Sequence, residues 1–227
     1  MERDVLILTK SWKKGGFCVV GVDINTNTLV RLVSSESPEF DALSDSQMYL
    51  PNGNLVNVYD IVRVNTVKPV PYLHQTENVL ISDNAFTKKI KTLTSLQTAQ
   101  YIRQNLPIDQ ADYIFKNLSY KLNSDEIADI KGSLAFVNIS DVTIFNSKFD
   151  DTSRAQKKMH FKYFGKQYKF YSITDPEYNI DASYTQDNPL RIDLALAIIS
   201  LPALPFKEDG YYYKIVAKII EIDKQGK

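Results

Sequence analysis

The sequence predicts a mainly β chain with a helical insert: two small five-stranded barrels, over 1–82 and 133–227, bridged by helices over 83–132. Three observations carry that expectation. β-forming apolar runs bounded by turn residues recur through the first 82 residues. The apolar spacing then lengthens to a helical period between about 84 and 131, and strand-like runs return from 133 onward.

The elements follow in order. DVLILTK (4–10), GGFCVVGVD (15–23) and TLVRLVS (28–34) read as strands, the third entered through the turn cluster NTN. Residues 35–57 are polar and contain Pro38, Pro51 and Asn52-Gly53, which predicts loop. VYDIVRVNTVKPV (58–70) and ENVLIS (77–82) complete a first set of strands. Residues 84–93 then suggest a short helix. Thr94 and Gln97 form a capping-box pattern ahead of Leu96, Ala99, Ile102 and Leu106. Asp109 stands where it would cap another helix, with Ala111, Ile114, Phe115 and Leu118 on one face. SLAFVNISDVTIFNS (133–147) is long for one strand and partly apolar on both faces, as expected of a bent strand serving two parts of a closed barrel. LRIDLALAIISL (190–201) is apolar enough for a buried helix, but its flanking prolines and isoleucines favour a strand; YYYKIVAKIIEI (211–222) completes the second set.

The 227 residues include 27 Lys or Arg and 27 Asp or Glu, so no global field draws the chain to nucleic acid or membrane, and any such attraction is local. Cys18 is the single cysteine, which excludes a disulfide framework and fits a reducing compartment. No apolar run is long enough for a membrane helix or a signal peptide, and a cytoplasmic protein is expected.

The local charge is concentrated in KKMHFKYFGKQYKFYS (157–172), which has five lysines, many aromatic rings and no acid. Phe164-Gly165-Lys166-Gln167 suggests a hairpin with Gly165 and Lys166 as its two-residue loop. Tyr163 would then face Tyr168, Lys162 would face Lys169, Phe161 would face Phe170, and His160 would face Tyr171. Met159, Phe161, Tyr163, Tyr168 and Phe170 would form the core face. His160, Lys162, Phe164, Gln167, Lys169 and Tyr171 would look outward. Two lysines ~7 Å apart repel by roughly 0.6–2 kcal/mol, and an anion lying across them would reverse that cost. Phe164, Tyr171 and His160 offer flat surfaces for bases. The plain alternative is a solvated face whose lysines guard an edge strand.

A five-stranded barrel of the oligonucleotide-binding (OB) type uses its second and third strands and the loops after the first and fourth. In the second half these are the hairpin, the loop 148–156 with Arg154, and the loop 201–210 with Phe206 and Lys207. The first half repeats the pattern more weakly: KSWKKGG (10–16) carries Trp12, Lys13 and Lys14. Arg31 interrupts an apolar strand, where it is either an anion contact or a buried charge paired with Asp23 or Asp60.

Other clusters say less. TDPEYN (174–179) has the composition of a turn, as HQTEN (74–78) has of a loop, and neither histidine sits at metal-ligand spacing. No phosphate loop, serine elbow or Cys/His pair is present. ILTKSWKKGGFCVVGVD with LVRLV, HQTEN, ITDPEY, and ISLPALPF with YYYKIVAKII together resemble the bacterial dual OB-containing domain family across nearly the whole chain. The resemblance implies two OB-like barrels and a nucleic-acid or nucleotide-ligand role linked to bacterial defence systems. It supplies no catalytic residues. The expectation is therefore a binding module for single-stranded nucleic acid or a nucleotide-like anion, with no cofactor, no metal, no membrane partner and no catalysis. A protein-interaction scaffold is the alternative. A third reading is a nucleic-acid or nucleotide enzyme with Asp175 and Glu177 on a metal.

Overall fold

The computed structural model of the protein describes residues 1–13, 16–35, 42–148 and 155–222. It divides into two compact units, 1–106 with 131–133, and 107–130 with 134–222 among the described residues.

The first unit is a closed barrel of β1 (Glu2–Lys13), β2 (Gly16–Asp23), β3 (Thr28–Val33), β4 (Asp60–Pro69) and β5 (Asn78–Thr92), in the spatial order β1-β2-β3-β5-β4. Only β3 and β5 pair in parallel. Alternate residues of these strands, including Val5, Ile7, Val19, Leu32, Val62 and Phe86, fill the interior. After the barrel comes α1 (Ser95–Asn105), whose capping box is formed as the sequence predicts: the Thr94 hydroxyl accepts from the Gln97 N–H, and the Gln97 side chain accepts from the Thr94 N–H.

The second unit contains β6 (Lys121–Leu122), α2 (Ser124–Ile127), β7 (Leu134–Ser147), β8 (Gln156–Tyr163), β9 (Lys166–Ile173), β10 (Leu190–Ser200), β11 (Tyr212–Tyr213) and β12 (Ile215–Glu221). Its barrel closes as β7-β8-β9-β12-β10, the same order and the same parallel third-to-fifth pairing as the first. The long strand β7 does serve two neighbours, pairing with β10 from Leu134 to Ile144 and with β8 from Ser140 to Ser147. β6 and β11 form a separate two-stranded ribbon.

Two helical expectations fail. Residues 84–92 continue β5, because β4 offers ladder partners along that length, from Val64 opposite Phe86 to Asp60 opposite Thr92. Pairing to a neighbouring strand overrides the weak helical spacing. The helix predicted after Asp109 is also absent. Asp109 takes a left-handed φ of 53° and its carboxylate accepts from the N–H and side-chain amide of Asn138 on β7. Phe115 and Lys116 are left-handed too, around one short 3-10 turn at Ile114–Lys116.

This segment instead lies against the second barrel, held by buried tyrosines. The Tyr163 hydroxyl donates to the carbonyl of Ala111, Tyr168 accepts from the N–H of Ile114, and Tyr171 donates to the carbonyl of Ser119. Lys214, buried just before β12, donates to the carbonyls of Ile114 and Asn117 and to Asn117 Oδ1. Side chains thus satisfy backbone groups that a helix would have paired internally. The bridge over 83–132 is consequently no third body, since its residues are shared between the two units.

Candidate functional site

The hairpin β8–β9 forms in the expected place, but its turn comes one residue earlier than expected and the pairing shifts by two residues. Its loop is Phe164-Gly165, with φ of 47° and 71°, the two positive values of a type I′ turn. Tyr163 therefore opposes Lys166, and Lys162 opposes Gln167. The predicted facing pair of Lys162 and Lys169 does not occur. Phe161 meets Tyr168 in place of the expected Phe170, stacking on it with centroids 5.2 Å apart.

A bulge then shifts the pairing again. Between the pairs Phe161–Tyr168 and Met159–Tyr171, β8 has one residue, His160, and β9 has two, Lys169 and Phe170. Phe170 absorbs the extra residue at φ 62°. This exchanges the expected roles of two rings. Tyr171, predicted to stack on a ligand, points into the barrel with no exposure, whereas Phe170, predicted to be core, is 39% exposed. The buried tyrosine has its hydroxyl hydrogen-bonded, and desolvation pushes that group well above its ordinary range.

The other flank of β8 carries a second bulge. Ser140 pairs with Lys162 and Thr143 with His160, so β7 has Asp141 and Val142 opposite the single Phe161. Asp141 adopts φ 49°. Left-handed non-glycine residues cost about 1–3 kcal/mol each and persist where the surroundings over-determine them. Bulges also re-aim side chains. Here both re-aim them around one cavity of about 400 Å³. Its walls come from Asp141 and Thr143 on β7, His160 and Lys162 on β8, Gln167 and Lys169 on β9, and Arg191 and Asp193 on β10.

The charges in this cavity are unequal in freedom. Lys162 Nζ lies 2.8 Å from Asp141 Oδ2, so each largely neutralises the other. Lys169, Arg191 and Asp193 have no ion pair or side-chain hydrogen bond among the described residues. His160 stands edge-on between two rings, with centroids 4.9 Å from Phe145 and 4.7 Å from Phe170. Its Nε2 is buried without a hydrogen-bond partner. Burial first, and then the nearby Lys169 charge, hold its pKa below the usual histidine value. A neutral imidazole with an unanswered nitrogen thus sits beside two free cations and an exposed ring. That arrangement suits an anion carrying a flat group.

The remaining expected residues divide. His160, Lys162 and Lys169 share the cavity. Phe164 is exposed at the hairpin tip, against Tyr163 at 4.6 Å. In the first barrel Trp12 is 62% exposed and meets Phe17 edge-on. The stretch expected as a loop around it is mostly strand. Lys10 is buried in β1, with its ammonium over the Phe17 ring and donating to the carbonyl of Val56. Lys14, Arg154 and the side chain of Lys13 lie outside the described residues.

Arg31 is no anion contact. Its side chain is 2% exposed, and its Nε and Nη2 donate to Glu77 Oε1 at 3.2 and 3.1 Å. It also donates to Ser133 Oγ and Cys18 Sγ. The partner is Glu77 of HQTEN, not Asp23 or Asp60, because the parallel β3–β5 pairing sets Arg31 opposite Asn78. In TDPEYN, Asp175 is buried and Lys218 reaches both Asp175 and Glu177, at 3.1 and 2.8 Å. A lysine therefore occupies the position a metal would need. No group of three or more His, Cys, Asp or Glu among the described residues is placed to hold a metal.

Residue reasoning missed Arg191, Asp193, Asp141 and Thr143. The signal was present in LRIDLALAII: once it is read as a strand, Arg191 and Asp193 alternate with Ile192 and mark a polar outward face.

The family model for the dual OB-containing domain matches residues 3–219. No curated protein and no solved structure matches the chain. No helix among the described residues is long and apolar enough to cross a membrane.

Proposed function

We propose, from the premise that the chain belongs to the dual OB-containing domain family, that its second barrel binds a nucleotide unit, free or within a single strand. The observation that carries this reading is the meeting of two unpaired cations, Lys169 and Arg191, with the imidazole of His160, whose buried Nε2 has no partner, beside the exposed ring of Phe170. The cations take the phosphate. Phe170, and Phe164 further along the hairpin, offer surfaces for bases, a contact worth about 1–3 kcal/mol per base. Three of the four strands that line the cavity, β7 to β9, are the first three of an OB-ordered barrel, and the second and third are those such barrels use for oligonucleotides.

Binding anisotropy with single-stranded RNA, single-stranded DNA, duplex and AMP, at 50 and 200 mM salt, tests the reading. Two phosphate contacts give a slope of about −1.4 in log affinity against log salt, so fourfold more salt weakens single-strand binding about sevenfold. Duplex bound as tightly as single strand, or affinity indifferent to salt, overturns it.

His160 adds a pH dependence with a definite sign. Its folded pKa lies below the unfolded value of about 6.5. The free protein therefore binds fewer protons than its unfolded chain just below pH 6.5, and its stability falls as pH drops through that window. A bound phosphate favours the imidazolium and lifts the pKa. Affinity is expected to rise between pH 7.5 and 5.5, and His160→Gln is expected to flatten the profile. A wild-type profile that is already flat removes His160 from the anion site.

A further inference from the structure

The cavity is polarised along its strands. Ile192 is buried, so Arg191 and Asp193 stand two residues apart on one outward face of β10, ~6–7 Å along the strand. Arg191 is in register with Thr143, which is in register with His160, and the Lys169 bulge lies beyond His160. One row across the strands is thus basic: Arg191, His160, Lys169. The neighbouring row begins with the carboxylates of Asp193 and Asp141. Asp141 is neutralised by Lys162, whereas Asp193 has no partner among the described residues.

A simple anion would gain from the basic row and be repelled by Asp193. A ligand bearing a phosphate at one end and hydroxyl donors a few ångströms away would use both. A ribose 5-phosphate unit has that form, with its 2′ and 3′ hydroxyls at the far side of the sugar. We infer that the cavity selects ribonucleotides over deoxyribonucleotides, with Asp193 accepting the 2′-hydroxyl while Arg191 and Lys169 hold the phosphate. The inference rests on the nucleotide reading above and adds to it the identity of the sugar. The 2′-hydroxyl is the group by which a protein separates RNA from DNA, and an exposed carboxylate is a strong acceptor for it.

The test uses the full chain with AMP, 2′-deoxy-AMP, inorganic phosphate, and eight-residue oligo(A) in ribo and deoxy forms. AMP is expected to bind about tenfold or more tighter than 2′-deoxy-AMP, the scale of one hydrogen bond to a charged group. Asp193→Ala is expected to bring that ratio below about threefold by weakening AMP while leaving 2′-deoxy-AMP bound as well or better. Because Asp193 is exposed, a thermal melt of the variant should match wild type. The oligo(A) arm separates two sources of the same chemistry: the ribo-octamer binding more tightly than AMP assigns a strand, and equal affinity assigns the free nucleotide, and either supports the inference. Equal wild-type affinity for AMP and 2′-deoxy-AMP overturns it while the nucleotide reading stands, as does an Asp193→Ala variant that keeps the full ratio. Failure of every probe to bind overturns the nucleotide reading itself, and the inference with it.

Discussion

Reversing both free cations, Lys169→Glu with Arg191→Glu, is expected to weaken AMP and single-strand binding by about two orders of magnitude. Each reversal changes the local charge by two units. At ~5 Å from a phosphate charge, in water-like dielectric, that amounts to about 1.7 kcal/mol per site, or about 3 kcal/mol for both. The salt dependence should vanish at the same time, since the groups that release counterions are gone. Neutralising Lys162 and Asp141 together, Lys162→Gln with Asp141→Asn, should do much less. The two charges lie 2.8 Å apart and largely cancel, so removing both takes little net field from the cavity. Both reversed residues are exposed, so the melting temperature serves as a control for folding. Removing Lys169 also removes a charge that holds the pKa of His160 down, so the histidine should titrate higher in the double variant. Affinity retained within about threefold would remove this cavity as the phosphate site.

The contrast between Lys162 and Lys169 shows what the sequence could and could not say. The lysines and rings of 157–172 mark a basic aromatic hairpin, and strand alternation sorts most of it: Met159, Phe161, Tyr163 and Tyr168 are buried as the pattern requires. The turn was ambiguous by one residue, because Phe164 accepts a left-handed conformation that favours glycine. The bulge at Phe170 was not legible at all. It depends on Tyr171 reaching the carbonyl of Ser119, 52 residues away in sequence, and local pattern cannot report such a contact. One inserted residue then exchanges Phe170 and Tyr171 between core and surface.

The same reasoning separates the successes and failures elsewhere. The capping box at Thr94 is a local device and forms where it is written. The barrels were legible because each strand carries its own alternation, and closure needs only five such strands in order. Residues 84–92 and 109–118 were misread because their structure is set by partners distant in sequence, β4 for the first and the buried tyrosines with Lys214 for the second. Half of the cavity was missed for a different reason. β7 and β10 were recognised as strands, but their outward charges Asp141, Arg191 and Asp193 acquire meaning only when the barrel closes and places β10 beside β7.

The largest stability effect is expected from Glu77→Ala in the first barrel. The Arg31 guanidinium is buried, and Glu77 is an acid that faces it, with Cys18 and Ser133 beside it. Deleting that carboxylate breaks a buried ion pair inside a barrel wall, and breaking such a pair costs about 3–5 kcal/mol. For a unit of this size that corresponds to a melting temperature roughly 15–20 °C lower. The cost lies in the stranded charge rather than in the worth of the pair, so a double variant settles the mechanism. Arg31→Met with Glu77→Leu should recover most of the loss, because two apolar side chains of similar volume do not need the pairing. Ligand binding provides a second, independent measure. If Arg31 held a phosphate, deleting its carboxylate partner would release it and raise affinity. As Arg31 is buried in the first barrel, AMP affinity in the folded Glu77→Ala protein, measured well below its melting temperature, should be unchanged. Tighter binding, with little loss of stability, would show that the guanidinium reaches the ligand after all.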